Sequence, residues 1–287
     1  MLLKKDGLKE IIVKRSITVK PTTSLLEARD ILFKHKIRRL IVLGANNKPV
    51  GIITEKDVAK AVYSFGGKSV QSIRVGDFMS KKLITVKKNA SVYDCAKLMK
   101  FKKISSVIVL TNKGELEGII TKSDLVSVFL TQATKPLKVS EIMTRKVITV
   151  TPSDSVLLVE SLLINNRITR IVVQRKRRPI GIITNRNFLP AKIPHWIAES
   201  ADPVELERYQ RSQQLKELQR NQLSYLLPFK AVDIMTPNPI TIDSNDDVSI
   251  AALLMIRHDI SGLPVVRKSM LVGIITKTDI VNAIAKR

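Results

Sequence analysis

The sequence of 287 residues contains one cysteine, and aromatic residues make up only 4% of it. The single cysteine, Cys95, excludes a disulfide within the chain, and we expect it to be a small buried side chain rather than a reactive thiol. No apolar run reaches the length that a membrane-spanning helix needs, so no membrane contact is expected. The start of the chain also lacks the apolar stretch of a signal peptide, which makes the cytoplasm the expected location.

The sequence also lacks the residue groups of known catalytic sites. Its three histidines, His35, His195 and His258, form no cluster with cysteine. There is no nucleophile elbow and no Walker glycine loop. These absences predict that the protein is not an enzyme and that it binds no metal.

Acidic residues are scarce, with 25 Asp and Glu against 49 Lys and Arg, and the formal net charge is +24. The excess of positive charge lies in residues 1–192, while residues 193–287 are neutral overall. A one-sided charge of this size favours a polyanionic partner.

The most informative feature present is a repeat. The tetrapeptide Gly-Ile-Ile-Thr occurs four times, and each copy follows a Thr-Val or Thr-Ile pair by 32 or 33 residues. Two marks held in register four times indicate one supersecondary unit repeated along the chain. The tetrapeptides occupy residues 51–54, 118–121, 181–184 and 273–276.

Each unit is typical of a small α/β module with the element order βαββα. A first strand leads through a polar break to a helix whose apolar positions recur seven residues apart, as at Leu25 and Leu32. A β-rich run and a polar turn then lead back into Gly-Ile-Ile-Thr as a hairpin. The segment Thr-x-x-Asp opens a short second helix.

This order, with its Gly-Ile-Ile-Thr-x-x-Asp ending, resembles the CBS domain, a module named after cystathionine β-synthase. Two copies in that family pack through their sheets into a pseudo-twofold pair. Four copies therefore imply an α/β fold of two such pairs, similar to the γ subunit of AMP-activated kinase and to archaeal stand-alone proteins. We expect copy 1 at 8–66, copy 2 at 73–132, copy 3 at 137–190, a helical insert at 191–229 and copy 4 at 230–287.

The Thr-x-x-Asp segments allow two interpretations. Threonine with an acidic residue three positions later is close to a capping box, which satisfies free N–H groups at a helix start. The same carboxylate can accept hydrogen bonds from the two hydroxyls of a ribose, and the resemblance implies that the Asp binds ribose with help from the Thr. The pairs are Thr54 with Asp57, Thr121 with Asp124, and Thr276 with Asp279.

The third copy departs from this pattern. Asn187 stands where the other copies have Asp, and Pro190 follows three residues later. An amide nitrogen cannot accept a hydrogen bond, and proline interrupts a helix. We therefore expect the third site to be degenerate.

A second difference between copies concerns phosphate. Arg39 and Arg170 enter the second strand of copies 1 and 3, where copies 2 and 4 carry Ser or Gly. The resemblance implies that this segment contacts the phosphate of a nucleotide held by the paired copy. Arg39 would then serve a nucleotide on Asp124, and Arg170 one on Asp279. The alternative is that each arginine is a solvated surface charge.

The resemblance also implies the ligand. Adenine would lie over small residues, including Ser105 and Ser261, and the expected ligand is AMP, ADP or ATP. S-adenosylmethionine is the less favoured alternative.

Lys and Arg are also clustered locally along the sequence. We interpret them as a surface for the phosphate backbone of RNA, with the ribosome as the first candidate, because few aromatic residues are present for base stacking. A generally basic surface that promotes solubility is the alternative. The predicted RNA-binding residues are Lys34, Lys36, Arg38, Lys81, Lys82, Lys102, Lys103, Arg175, Lys176, Arg177 and Arg178.

The insert at 191–229 has helical signals of its own. Asp202 and Pro203 have the character of an N-cap and first helical residue, and the helix should run to about Leu227. It is either a strut packed along its own pair or a docking arm for a protein partner, with Trp196 at its entry. The partner could also be a second copy of this chain, in a homodimer.

The sequence therefore predicts a non-catalytic regulatory protein that binds adenine nucleotides and docks on RNA, as a translation or hibernation-type factor on the ribosome. Two alternatives stay open. One is an energy-sensing, γ-like regulatory subunit of a kinase or metabolic enzyme. The other is a nucleic-acid-binding regulator that senses no nucleotide.

Overall fold

A computed structural model describes residues 16–64, 73–188 and 229–286. These residues form four small sheets with helices against them, which confirms the predicted α/β architecture. No helix within these ranges has the length and hydrophobicity needed to span a bilayer. The predicted insert helix, Trp196, His195 and Pro190 lie outside the described residues.

Copies 1 and 2 have the predicted element order. Copy 1 comprises β1 (Thr18–Val19), α1 (Leu25–Lys34), β2 (Arg39–Leu43), β3 (Pro49–Thr54) and α2 (Glu55–Ser64). A short helix α3 (Val75–Phe78) leads to copy 2, which comprises β4 (Thr85–Lys87), α4 (Val92–Phe101), β5 (Ser106–Leu110), β6 (Leu116–Thr121) and α5 (Lys122–Gln132).

Copies 3 and 4 follow the same plan, with a short 3-10 turn after the third strand of copy 3. Copy 3 comprises α6 (Val139–Ile142), β7 (Thr149–Val150), α7 (Val156–Asn165), β8 (Arg170–Arg175), β9 (Arg178–Thr184) and the turn Asn185–Phe188. Copy 4 comprises α8 (Ala231–Ile234), β10 (Thr236–Pro237), β11 (Ile242–Asp243), α9 (Val248–Arg257), β12 (Gly262–Arg267), β13 (Met270–Thr276) and α10 (Lys277–Ile284).

The first helix of each copy begins at the apolar residue that the repeat predicts. In copy 1, Ser24 Oγ accepts the N–H of Glu27 at 3.1 Å, a side-chain cap that satisfies a free donor of the first turn. Leu25 and Leu32 then face the core and are fully buried. Cys95 lies on the same buried face of α4, so the prediction of a small core side chain is confirmed.

Each sheet pairs its first strand parallel to the second and its second strand antiparallel to the third. In copy 1 this register sets the motif threonine, Thr54, directly opposite Arg39. The equivalent threonines lie opposite Ser106, Arg170 and Gly262. The position that is Arg in copies 1 and 3 and Ser or Gly in copies 2 and 4 therefore lies beside the motif in every copy.

Apolar clusters join the copies in pairs through their sheets. Ile41 of copy 1 packs with Ile108 of copy 2, and Val172 of copy 3 packs with Ile274 of copy 4. Copy 1 therefore pairs with copy 2 and copy 3 with copy 4, as the resemblance implies.

The motif glycine has a packing role. Met143, which follows α6 at the entry to copy 3, lies against Gly273 of copy 4, where an added Cβ would be 2.6 Å from its Sδ. Met235, at the entry to copy 4, lies in the same way against Gly181 of copy 3. Each copy of this pair thus sends its entering segment onto the sheet of the other, and only glycine leaves room for the methionine.

The two pairs meet through helices. Helix α5 of copy 2 packs against α9 and α10 of copy 4, and the three share one apolar core that includes the buried Phe129. On the other side, α2 of copy 1 meets the turn Asn185–Phe188 of copy 3. The four copies therefore close a ring in the order 1, 2, 4, 3.

Candidate functional site

The Thr-x-x-Asp segments fold as helix caps. In copy 2, the backbone N–H and the hydroxyl of Thr121 both donate to Oδ2 of Asp124, at 2.6 and 2.7 Å. The same two bonds, between 2.6 and 2.8 Å long, join Thr54 to Asp57 and Thr276 to Asp279. Local sequence thus fixes each carboxylate at the junction of a strand and a helix.

The cap uses one oxygen of each carboxylate. Within the described residues, no hydrogen bond reaches Oδ1 of Asp57 or Asp124. Oδ1 of Asp279 accepts a bond of 3.3 Å from the hydroxyl of Thr144. Because a carboxylate has about four acceptor positions, the capping and ribose-binding interpretations are compatible.

Copy 3 uses the corresponding position differently. Oδ1 of Asn187 accepts from the backbone N–H and the hydroxyl of Thr184, both at 2.9 Å, so the cap is preserved. The amide Nδ2 donates to the carbonyl oxygen of Ile234 at 2.6 Å. The atom that would meet a ribose hydroxyl in the other copies is therefore a donor that is already engaged.

Arg39 reaches across the first pair. Its Nη1 donates to the carbonyl oxygen of Ser105 in copy 2 at 2.7 Å. Burial, together with the neighbouring Arg38 guanidinium, lowers the pKa of Arg39 to about 10, and the Asp124 carboxylate opposes that shift. Arg39 is thus charged at neutral pH and lies within electrostatic reach of the carboxylate it is predicted to serve.

Arg170 makes the matching connection across the second pair. Its Nη2 donates to Oγ of Ser261 in copy 4 at 2.8 Å. Gly262 leaves room for the guanidinium, since a Cβ there would collide with it. Burial and then Arg38 lower the pKa of Arg170 to about 10, with the Asp279 carboxylate opposing. Arg170 therefore occupies the space over Gly262, next to Ser261, and the base-binding role of Ser261 stays a prediction.

Two lysines that sequence reasoning did not single out lie where the pairs meet. Nζ of Lys122 donates to Oγ1 of Thr278 at 2.8 Å, and Nζ of Lys277 donates to Oγ of Ser123 at 2.9 Å. Each lysine thus crosses to the start of the second helix in the opposite copy. A comparison of the copies could have identified both lysines. Copies 2 and 4 have lysine directly after the motif threonine, whereas copies 1 and 3 have Glu or Asn.

The surroundings of both lysines are cationic. Burial lowers the pKa of each to about 8. Repulsion from Arg39 adds to the shift at Lys122, and repulsion from Arg38 adds to it at Lys277. We call these four residues, with Arg170, the central cation cluster.

On the opposite side of the ring, an ion pair joins copies 1 and 3. Arg186 Nε donates to Oε1 of Glu55 at 2.9 Å, and its guanidinium lies 5.8 Å from the ring centre of Phe33. Arg186 precedes the degenerate Asn187, so this part of copy 3 holds the two pairs together.

A cavity of about 830 Å³ opens between the pairs. Its wall includes Thr54 and Asp57 of copy 1 with Ser105 of copy 2, and also Thr276 of copy 4 with Arg170 of copy 3. This volume lies within the roughly 300–1,000 Å³ that is usual for ligand sites. Ser105 thus shares a space with the carboxylate of copy 1, rather than with that of its own copy.

Comparison with known proteins decides the family. A model of the CBS domain matches residues 8–64, 75–131, 139–193 and 231–286. This chain belongs to the CBS domain family. It carries four CBS copies, and the matched ranges contain every motif threonine and the aspartate or asparagine three residues after it.

Similar proteins extend over the whole chain. The uncharacterized protein MJ1225 of Methanocaldococcus jannaschii is 26% identical, over 95% of this chain and 96% of that protein. Its crystal structure, described as that of a proposed archaeal homolog of g-AMPK, matches with a TM-score of 0.76 at 25% identity, over 96% of this chain and 99% of the other. A structure from Pyrococcus horikoshii has a TM-score of 0.63 at 18% identity, over 98% of this chain and 100% of that one, and shows the shared fold alone.

The residues predicted for RNA fall into different surroundings in this CBS protein. Arg38 is partly exposed, and its Nη2 donates to the carbonyl oxygen of Asp259 in copy 4 at 3.0 Å. Lys82 and Lys103 are exposed but also line the cavity. The remaining residues are exposed: Lys34, Lys36, Lys81, Lys102, Arg175, Lys176, Arg177 and Arg178.

His35 and His258 end the first helices of CBS copies 1 and 4 and are exposed, as their repeat position predicts. Across residues 16–64, 73–188 and 229–286, no three side chains among His, Cys, Asp and Glu are grouped so that they could hold a metal ion.

Proposed function

We propose that this CBS protein is a non-catalytic regulator that binds adenine nucleotides and transmits their presence through the packing of its copies. The observation that carries the proposal concerns Asp124 and Asp279. Each is fixed by a cap through one oxygen, and each lies near an arginine that the paired copy supplies. A nucleotide offers the complementary groups, a ribose diol and a phosphate.

The ribose part rests on acceptor chemistry. Oδ1 of Asp124 accepts no bond from the described residues, and hydrogen bonds to a charged acceptor are stronger than neutral ones. The motif threonine holds the carboxylate in place, so its orientation is set before a ligand arrives. This preorganisation lowers the entropy lost on binding.

The phosphate part rests on charge. The central cation cluster brings five positive side chains together, and their mutual repulsion contributes to the lowered pKa values of Arg39, Lys122, Arg170 and Lys277. An anion between them would relieve this repulsion. A phosphate group supplies that charge and accepts hydrogen bonds from guanidinium groups.

The regulatory part of the proposal rests on the position of the central cation cluster at the interfaces between copies. Arg39 and Arg170 each connect two copies of one pair, while Lys122 and Lys277 connect the two pairs. A phosphate bound there contacts residues on both sides of these interfaces. It would favour the arrangement of copies that it fits best, and the equilibrium would shift by the difference in affinity.

The first candidate for the target of regulation is a partner enzyme. The similarity to a protein described as a proposed archaeal homolog of g-AMPK runs along the whole chain. It favours an energy-sensing subunit similar to the γ subunit of AMP-activated kinase.

A second candidate partner is RNA, including the ribosome. It is favoured by four consecutive cations, Arg175, Lys176, Arg177 and Arg178, which are all exposed where β8 turns into β9. A run of this kind suits the phosphate backbone without base specificity.

Calorimetry on the full chain with AMP and with adenosine tests the nucleotide proposal. Arg170→Ala should weaken AMP binding by roughly 10- to 100-fold, the value of a charged hydrogen bond, and leave adenosine binding unchanged. Arg175→Ala, which removes an exposed cation from the same copy, is the matched control. Equal loss of AMP and adenosine binding in Arg170→Ala would contradict the phosphate role.

Sucrose-gradient sedimentation of cell extract separates the two partner classes. Migration with ribosomal subunits that disappears at high salt supports RNA, because contacts to phosphate are weakened by salt. Migration with an enzyme, at low and high salt alike, supports a γ-like subunit.

A further inference from the structure

The cavity between the pairs is built twice from equivalent positions. When the copies are aligned by their repeat, Thr54 of copy 1 corresponds to Thr276 of copy 4, and Ile52 corresponds to Ile274. All four residues line the cavity. Copies 1 and 4 are far apart in sequence. Each thus presents the end of its last strand, β3 in copy 1 and β13 in copy 4, to the same cavity.

The facing wall is duplicated in the same way. Copy 2 contributes Lys82 and Lys103, and copy 3 contributes their counterparts, Lys146 and Arg167. Every position that copy 3 contributes has a counterpart in copy 2 that also lines the cavity. The first half of the cavity, from copies 1 and 2, therefore matches the second half, from copies 4 and 3.

Each half has an aliphatic wall and a polar end. Leu83 and Ile108 line the first half, and Val147 and Val172 line the second. Aliphatic surfaces of this kind suit a purine ring, and a strand–helix junction lies beside each of them.

Asp57 lines the first half and can accept from a ribose. In the second half Thr276 and Thr144 line the cavity, and the carboxylate of Asp279 lies behind them, bonded to both hydroxyls. Each half thus offers a place for one adenosine, with the carboxylate more open in the first half.

Cations lie between and around the halves. Lys122 borders the cavity and bonds to Thr278, which lines it from the opposite pair. Among the described residues that line it, Asp57 is the one acidic side chain. The cationic lining residues are Lys56, Lys82, Lys100, Lys103, Lys122, Lys146, Arg167 and Arg170.

We propose that this cavity takes a single molecule that has an adenosine at each end and an oligophosphate chain between them, a bis(adenosyl) oligophosphate. Two equivalent halves match two identical ends, and the cations match a chain whose charge lies in the middle. This proposal rests on the proposed function, because each half must first accept an adenosine.

A bridging molecule suits the cavity better than two separate nucleotides. Two nucleotides would bring two independent oligophosphate groups, each with its own terminal charge, into one space. In a bridging molecule, binding of the first end makes binding of the second end intramolecular, at an effective concentration on the order of millimolar. That gain depends on the length of the chain, because the linker must match the distance between the halves.

Calorimetry on the full chain tests the inference, with diadenosine compounds of three to six phosphates compared with ATP and AMP. We expect one tight binding event per chain for the compound of best length, at least about 100-fold stronger than ATP, which is within the usual gain from linked ends. We also expect a clear optimum in phosphate number and full displacement of bound ATP.

A variant of one half makes the test specific. Asp57→Asn preserves the cap, since Asn187 forms the same cap in copy 3, but it replaces the acceptor oxygen by a donor. The affinity for the best diadenosine compound should fall to about that for ATP. Asp30→Asn, at an exposed aspartate on α1 of the same copy, should leave it unchanged.

The outcomes separate this inference from the proposed function. If ATP binds, but no diadenosine compound binds more tightly than ATP, the inference is overturned and the proposed function stands. If neither ATP nor any diadenosine compound binds, both are overturned.

Discussion

The side-chain amide of Asn187 in copy 3 donates to the carbonyl oxygen of Ile234, at 2.6 Å, in the helix that leads into copy 4. The other three copies have a carboxylate at this position, and a carboxylate could not make this bond. One amide thus keeps the helix cap of copy 3 and ties its strand–helix junction to the paired copy. The exchange of Asp for Asn converts a potential ligand group into a structural one.

Asn187→Asp should therefore destabilise the protein. The cap at Thr184 would remain, but a carboxylate oxygen would face the carbonyl of Ile234 at a partly buried position. A fully buried acceptor left unsatisfied costs about 1–3 kcal/mol, so we expect a loss toward the lower end of that range. Urea unfolding should show this loss in the free energy of unfolding. Asn47→Asp, at an exposed turn residue, is the control and should change it by less than about 0.5 kcal/mol. An unchanged free energy of unfolding in Asn187→Asp would mean that the bond to Ile234 contributes nothing.

Asp124 allows capping and ligand binding to be separated. Asp124→Asn should keep the cap, as in copy 3, and leave the melting temperature nearly unchanged while weakening nucleotide binding at that site by roughly tenfold or more. Asp124→Ala should lose both functions, with a decrease of about 1 kcal/mol in stability from the lost cap. Thermal unfolding and calorimetry on the same samples check this. Undiminished nucleotide binding by Asp124→Asn would show that this aspartate is only a cap.

The buried Lys277 and the partly exposed Lys122 predict a pH dependence. Burial lowers the pKa of Lys122 and Lys277 from 10.5 to about 8. Because the folded pKa is below the unfolded one, the unfolded chain binds more protons from about pH 8 upward. The free energy of unfolding should therefore rise as the pH increases from about 8 toward 10.5.

Urea unfolding between pH 7.5 and 9.5, without nucleotide, measures this rise. Lys122→Met should reduce its slope, and Lys113→Met, at an exposed lysine of the same copy, should not. A slope that is the same in wild type, Lys122→Met and Lys277→Met would show that neither lysine is responsible.

The apolar core between copies 2 and 4 should dominate stability. Phe129 is 1% exposed and lies in the core that both copies share, whereas Phe101 is 80% exposed. Phe129→Ala should lower the free energy of unfolding by about 3–5 kcal/mol, and Phe101→Ala by less than about 0.5 kcal/mol. Denaturant titration of both variants measures the difference. Similar small losses in the two variants would mean that the contact between the pairs is weak.

Much of the fold could be predicted because it depends on residues that are close in sequence and because the same pattern recurs in each copy. Thr121 and Asp124 are three residues apart, so their cap follows from sequence alone. The apolar spacing of Leu25 and Leu32 likewise predicts the buried face of a helix. The repeat turned each local pattern into a prediction for every copy.

Contacts between distant copies could not be predicted in this way. Lys122 and Thr278 are far apart in sequence, and no local rule brings copy 2 beside copy 4. The role of Gly262 also became clear only when the position of Arg170 was known. The difference between copies at the residue after the motif threonine was visible in the sequence, but its meaning depends on the ring of copies.

The most direct measurement of the central claim is a calorimetric titration of the full chain with AMP, ADP and ATP. It should be compared with the triple variant Asp57→Asn, Asp124→Asn and Asp279→Asn. We expect saturable binding by the wild type and its loss in the triple variant, with the melting temperature of the nucleotide-free protein nearly unchanged. The absence of saturable binding in the wild type, or equal binding by the triple variant, would contradict it.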